Sequence, residues 1–231
     1  MSRTCVDIDP DARLVLPRIL LINPNSSAAT TAMMVSIAAS CCDGRADIVG
    51  ATATRAPAMI VDAGTLAASA AEVVEIARAH LDACDGIIVA AFGDPGAAEI
   101  GALCGLPVVG IGEASMRAAA QGGRRFGVAT VTPALVASIA GLAESLGLST
   151  QFTGTRLTPG DPAALAADPA RLASALAAAT RACIADDGAQ AVIIGGGPLA
   201  QAADQLQPQF AVPIIKPIDA AVSQLLQKLS A

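Results

Sequence analysis

Apolar runs of strand length, each followed by an Ala-rich amphipathic stretch, recur from Arg18 to the end of the chain, and this alternation leaves few architectures open. The strand-like runs are residues 18–23, 47–52, 86–92, 108–111, 126–131, 151–156, 191–194 and 213–216. Most show no period-two alternation; Val, Ile and Ala occupy successive positions, as in parallel strands covered on both faces. The helical stretches 28–39, 66–81, 134–146 and 170–185 are preceded by Ser26-Ser27, Gly64-Thr65, Thr132-Pro133 and Asp168-Pro169, residues suited to helix starts. Strand-then-helix order predicts an α/β fold with mainly parallel sheets flanked by helices.

The order also repeats. Asn23-Pro24 and Thr132-Pro133, each after a strand, stand 109 residues apart. The segment 86–96 (GIIVAAFGDPG) corresponds to 191–199 (AVIIGGGPL), and 106–114 (LPVVGIGEA) to 212–220 (VPIIKPIDA). Two pseudosymmetric lobes follow, 18–115 and 116–217, after an N-terminal arm, 1–17, with a C-terminal helix, 218–231, packing back on the first lobe. Open parallel sheets bind ligands at the carboxyl ends of their strands, so the expected site is the cleft between the lobes.

Composition narrows the partners. Hydrophobic residues make up 54% of the 231 positions and charged ones 15%, which suits a large core. With a net charge of −6, no basic stripe and 2% aromatics, nucleic-acid binding is excluded. No apolar run reaches the ~18–20 residues of a membrane span. The first 17 residues hold Asp7, Asp9 and Asp11 and no apolar stretch, so they do not read as a secretory signal. Six cysteines without a Cys-x-x-Cys pair, and a single histidine, His80, give no zinc set. They read as reduced, mostly buried thiols of a cytoplasmic protein. No Gly-x-Gly-x-x-Gly follows the first strand and no Walker loop is present, so neither cofactor nor metal is expected. The Ala/Leu faces of 66–81 and 135–146 suit either core packing or a homo-oligomer interface.

Four strand-end loops carry the polar groups. Asn23, Asn25 and Ser26 offer amide and hydroxyl groups at a helix N-terminus, for ring polar groups or for capping. Ala91, Phe92 and Gly93 lead into Asp94, either a cap or a site carboxylate. Gly195, Gly196, Gly197 and Pro198 form a turn with exposed backbone N–H groups able to hold an anion. Glu113 and Lys216 follow the last strand of each lobe. Thr54, Arg55 and Thr132 complete the candidate set; Arg55 and Lys216 suggest a carboxylate on the substrate. Asp94, Glu113 and Lys216 are the candidate catalytic groups.

The segments 20–27 (LLINPNSS), 92–96 (FGDPG) and 107–114 (PVVGIGEA) resemble the hydantoin racemase branch of the aspartate/glutamate racemase superfamily, in the same order. The resemblance implies two pseudosymmetric α/β lobes, no cofactor, and a small acidic or hydantoin-type small-molecule substrate between them. It also implies two catalytic thiols, one on each face of the substrate carbon. The positions that should carry them are Ala91 and Gly196, which can neither remove nor donate a proton. The leading expectation is therefore hydrolysis of, or elimination from, a hydantoin-type ring, for example sulfide release from a thiohydantoin. Racemisation with non-cysteine bases is the alternative, and a non-catalytic binding protein the second alternative.

Overall fold

The computed structural model describes residues 16–196 and 199–231; of the expected arm, Leu16 and Pro17 lie within them. The first lobe runs β1 (Arg18–Asn23), α1 (Ala28–Cys42), β2 (Asp47–Thr52), α2 (Ala63–His80), β3 (Gly86–Val89), α3 (Ala97–Leu103), β4 (Val108–Gly110) and α4 (Ile111–Ala120). The second runs β5 (Phe126–Thr130), α5 (Val136–Ser145), β6 (Phe152–Leu157), α6 (Pro162–Ala166), α7 (Pro169–Ala185), β7 (Ala191–Ile194), α8 (Ala200–Leu206), β8 (Ile214–Ile215) and α9 (Pro217–Leu229). All strand pairs are parallel, and the two four-stranded sheets share one order, β2-β1-β3-β4 and β6-β5-β7-β8. The expected α/β architecture of two like lobes is present.

Why β1 reads as an unbroken apolar run is visible in its packing. Ile19 and Leu21 face Met34 of α1 on one side of the sheet. Leu20 and Ile22 face Val73 and Ala77 of α2 and Ile100 of α3 on the other. Four consecutive side chains are thus buried because helices cover both faces. The run at 86–92 ends as a strand at Val89, since Gly93 and Asp94 both take positive φ and turn the chain. Helix starts follow the expected chemistry with one change. Ser27 caps α1 and Asp168 caps α7, but α2 is capped by Asp62, whose Oδ1 accepts from Thr65 N at 2.9 Å, rather than opened by Gly64-Thr65.

The last helices of the two lobes are exchanged. Met116, Ala119 and Ala120 of α4 pack with Phe126, Val128 and Ile193 of the second sheet. In return, Ile218, Val222 and Leu225 of α9 pack with Ile19, Leu21 and Ile88 of the first. α9 packs on the first lobe's core, and α4 runs continuously through residues 115 and 116. No helix among the described residues is long and apolar enough to cross a membrane.

Candidate active site

A cavity of about 430 Å³ opens between the lobes at the carboxyl ends of the strands. That volume lies in the range of small-molecule sites, ~300–1,000 Å³. Of the expected site residues, Asn25, Ala91, Phe92, Thr132, Gly195 and Gly196 line it. Gly197 and Pro198 lie outside the described residues. Sequence reasoning missed Thr130, Met59 and Leu172, which also line the cavity. Thr130 could have been found as the residue two before Thr132 on the same strand end; Met59 and Leu172 carry no distinguishing signal.

Asn23 stands behind this wall rather than in it. It is fully buried, and the two hydrogens of its Nδ2 are shared among Asn25 Oδ1 (2.9 Å), Thr31 Oγ1 (3.0 Å) and Ser27 O (3.2 Å). Its Oδ1 accepts from Asn25 N (3.2 Å), so the amide is consumed by the loop it shapes. Asn25 Oδ1 is held twice, by Asn23 Nδ2 and by Ser27 N (2.9 Å). Its Nδ2 group has no partner among the described residues, so a residue lining the cavity keeps two free N–H donors. Ser26 donates its backbone N–H to Pro57 O (3.2 Å) and does not line the cavity.

On the opposite lobe the hydroxyls form a short directed chain. Thr130, 1% exposed, donates Oγ1–H to Gly195 O at 2.8 Å, tying the end of β5 to the end of β7. Thr130 has one hydrogen, so the 3.2 Å contact with Thr132 Oγ1 is donated by Thr132. The lone pairs of Thr132 Oγ1 then remain as acceptors on the cavity wall. One lobe presents a donor and the other an acceptor.

The charged candidates do not reach the cavity. Thr54 donates N–H (2.7 Å) and Oγ1–H (2.8 Å) to Glu72 Oε1, and Arg55 donates N–H to Glu72 Oε2 at 3.0 Å. Burial pulls the Glu72 carboxyl upward, but these donors outweigh it and hold the group below its ordinary value. The Arg55 guanidinium pairs with Glu75 at 2.7 Å, so Thr54 and Arg55 fasten a loop to α2. Lys216 pairs with Asp204 (2.8 Å) and Asp219, in a separate polar groove between α4 and α9. Glu113 pairs with Arg117 one turn along α4, at 2.7 Å.

Asp94 is a cap. Its Oδ1 accepts from Gly112 N (2.7 Å) and its Oδ2 from Glu113 N (2.6 Å), completing the first turn of α4. Burial pushes its carboxyl up to about 7, against the pull of those two N–H donors and with a further push from the Glu113 charge. The loop after β3, whose Ala91 and Phe92 line the cavity, is thereby bolted to the helix that enters the second lobe. Gly93 serves the same loop and does not line the cavity; with φ 123°, a side chain there would also strike Leu66. The three groups expected to act as acid or base thus each have a structural partner instead.

Among the described residues the cavity is lined by no Asp, Glu, His, Lys, Arg or Cys. The cysteines among the described residues lie elsewhere. Burial, helped by Asp219, pushes Cys41 up to about 12, and burial with Asp187 pushes Cys183 up to about 11. Burial raises Cys42 and Cys84 as well. Alkylation with iodoacetamide at pH 7 is expected to leave ligand binding in the cleft unchanged within twofold; strong inhibition, relieved by bound ligand, would put a thiol at the site.

Ala91 and Gly196, where the resemblance places the two thiols, do meet across one cavity from matching strand ends of the lobes. Gly196 has φ 144°, a backbone conformation that L side chains rarely adopt. The turn is therefore shaped for glycine, and a cysteine there would need the backbone to move.

The sequence pattern of the family described as "Asp/Glu/Hydantoin racemase" matches residues 19–225. A hydantoin racemase of Rhizobium meliloti is 30% identical over 203 residues, 87% of this chain and 84% of that protein. One from Pseudomonas sp. (strain NS671) is 29% identical over 206 residues, 89% of this chain and 83% of that protein. Among solved structures, allantoin racemase from Klebsiella pneumoniae superposes with a TM-score of 0.86 at 27% identity, covering 93% of this chain and 87% of that one. With this match spanning both lobes and the cleft between them, the chain belongs to the Asp/Glu/hydantoin racemase family.

Proposed function

We propose that the chain binds an uncharged hydantoin-type ring between its lobes and acts on it as an isomerase, exchanging the proton on the ring carbon that bears the substituent, without a thiol. The pairing of Asn25 with Thr132 carries this reading. A cyclic imide or urea presents carbonyl oxygens beside N–H groups, and the cavity offers a fixed amide donor from one lobe and a hydroxyl acceptor from the other. The remaining wall is mostly apolar, which strengthens both hydrogen bonds and suits the flat face of a ring.

Hydrolysis or elimination, the leading expectation from the sequence, gains no support. No carboxylate or imidazole lines the cavity among the described residues, so neither attack of water nor removal of a ring proton has a side-chain base there, and the relatives favour the second. The relatives are named as racemases. A ring carbon flanked by a carbonyl and a nitrogen is acidic for a C–H. Donors on that carbonyl stabilise the anion; hydroxide from solvent removes the proton and becomes water, and water returns a proton to the carbanion from either face, regenerating hydroxide. The same lack of a titratable wall favours one other reading, binding without turnover.

Proton NMR in D₂O with one enantiomer of 5-isobutylhydantoin tests the reading. Loss of the ring C–H signal together with optical rotation, faster than in buffer, is the expected result. Ligand line-broadening with the signal retained would establish binding alone. A new compound that keeps the C–H would overturn the proposal in favour of ring opening.

A further inference from the structure

Cys84 and Cys104 stand at the amino ends of two neighbouring strands of the first sheet, away from the cleft. Each ends a helical segment and leads into a strand: Cys84 follows the helical turn Leu81–Ala83 ahead of β3, and Cys104 follows α3 ahead of β4. Both take extended backbone, with φ −144° and −131°. β3 and β4 pair in parallel with Ile87 opposite Val108, so the two strand entries lie one strand spacing, ~4.8 Å, apart. Cα atoms joined by a disulfide stand roughly 4.4–6.8 Å apart. Both side chains rest against the apolar cluster that contains Ile87 and Ile100, and both are half-buried rather than sealed from solvent. Burial raises the Cys84 thiol, the Asp85 charge adds to it, and the Cys104 thiolate adds a further push across the gap. The Cys104 thiol donates to Ile100 O at 3.2 Å. The other described cysteines are placed differently: Cys42 and Cys183 are fully buried, and Cys41 lies against Asp219.

We propose that Cys84 and Cys104 form a dithiol that a peroxide converts to a disulfide. The thiolate of one cysteine breaks the O–O bond of the peroxide, becomes a sulfenic acid and releases hydroxide, which takes up the thiol proton as water. The second thiol attacks that sulfur, forms the S–S bond and expels a second water. The two sulfurs together lose two electrons and the peroxide gains them. Burial keeps Cys84 protonated at pH 7, so the oxidation quickens as pH rises toward 9. The bridge closes the loop 84–104, which carries the cavity residues Ala91 and Phe92, and so staples that wall of the cleft from the far end of its strand.

The test is oxidation of the full chain with hydrogen peroxide at pH 8, followed by iodoacetamide, trypsin and mass spectrometry. Arg78 and Arg117 bound a tryptic peptide, residues 79–117, that holds these two cysteines and no other. The expected result is that this peptide loses two hydrogens and takes up no alkyl group until dithiothreitol restores both thiols. In Cys84→Ser the same treatment is expected to give no such loss. Two alkylated cysteines in the oxidised native peptide, or sulfinic and sulfonic acids in place of the bridge, would overturn the proposal. Closing a loop of this length is also expected to raise the melting temperature by roughly 5 °C. A fall would mean that the chain distorts to bring the sulfurs together, and would overturn the proposal as well.

Discussion

Gly110→Ala is expected to be the most damaging single methyl in the chain. A Cβ at Gly110 would lie 2.1 Å from Asp94 Cγ and 2.4 Å from its Oδ1, far inside van der Waals contact. Asp94 cannot swing away without giving up two N–H donors of α4, so the strain has no soft outlet. A loss of at least ~3 kcal/mol follows. For a chain of this size that lowers the melting temperature by roughly 6–12 °C, read by thermal denaturation. Asp94→Gly removes the obstructing atoms and suits the left-handed φ of 54° there, while it forfeits the cap. The double variant Gly110→Ala/Asp94→Gly is therefore expected to be more stable than the two single losses added together. Strict additivity would show that the clash is relieved some other way. The Asp94 carboxyl adds a pH signature. Its folded value of about 7 exceeds the ordinary 3.8, so the folded chain holds the extra proton between those limits. Its contribution to stability consequently falls as pH rises from about 4 to about 7, and Asp94→Gly should remove that part of the slope.

Asn25→Ala combined with Thr132→Val is expected to weaken hydantoin binding about a hundredfold or more. Each change deletes one hydrogen bond in a largely apolar cavity, worth on the order of 1–2 kcal/mol and about tenfold in affinity. The two act from opposite lobes on different edges of the ring, so their effects should add. Thr132→Val keeps the shape of the side chain and leaves Thr130 bonded to Gly195 O, so the fold should be untouched. Asn25→Ala also frees Asn23 Nδ2 and Ser27 N, and some stability loss is expected alongside. Calorimetric titration with 5-isobutylhydantoin measures both singles and the double. Full affinity in the double variant would mean that the ring lies elsewhere in the cavity.

The two-lobed fold was legible because burial on both faces writes itself as unbroken Val/Ile/Ala runs, and because the landmarks at Pro24 and Pro133 repeat with their surroundings. Asn25, Ala91, Thr132 and Gly196 were legible as cavity residues for a related reason: a parallel strand's carboxyl end fixes where the next residues go. Charged residues carry no such marker. Whether Arg55 or Lys216 serves a ligand depends on Glu75 and Asp204, and nothing in the spacing announces those partners. Asp94 was equally a cap or a base until Gly110 and Gly112 were seen to leave room for its carboxylate. Strand-helix order also does not say which sheet a terminal helix covers, and so the exchange of α4 was missed.

That exchange bears on how such a chain could have arisen. A half-length polypeptide with this pattern would end in a helix that, like α4, leaves the apolar side chains of its second half (Met116, Ala119 and Ala120 in α4) for another sheet. Two copies trading those helices would satisfy both, giving a swapped homodimer with one cleft on its twofold axis. Joining the copies end to end preserves that arrangement within one chain. It also frees the two sides of the cleft from having to be identical, so that one half can offer a donor at Asn25 while the other offers an acceptor at Thr132. An unsymmetrical ring with a single stereocentre can then lie in one preferred orientation, which a true twofold site could not enforce.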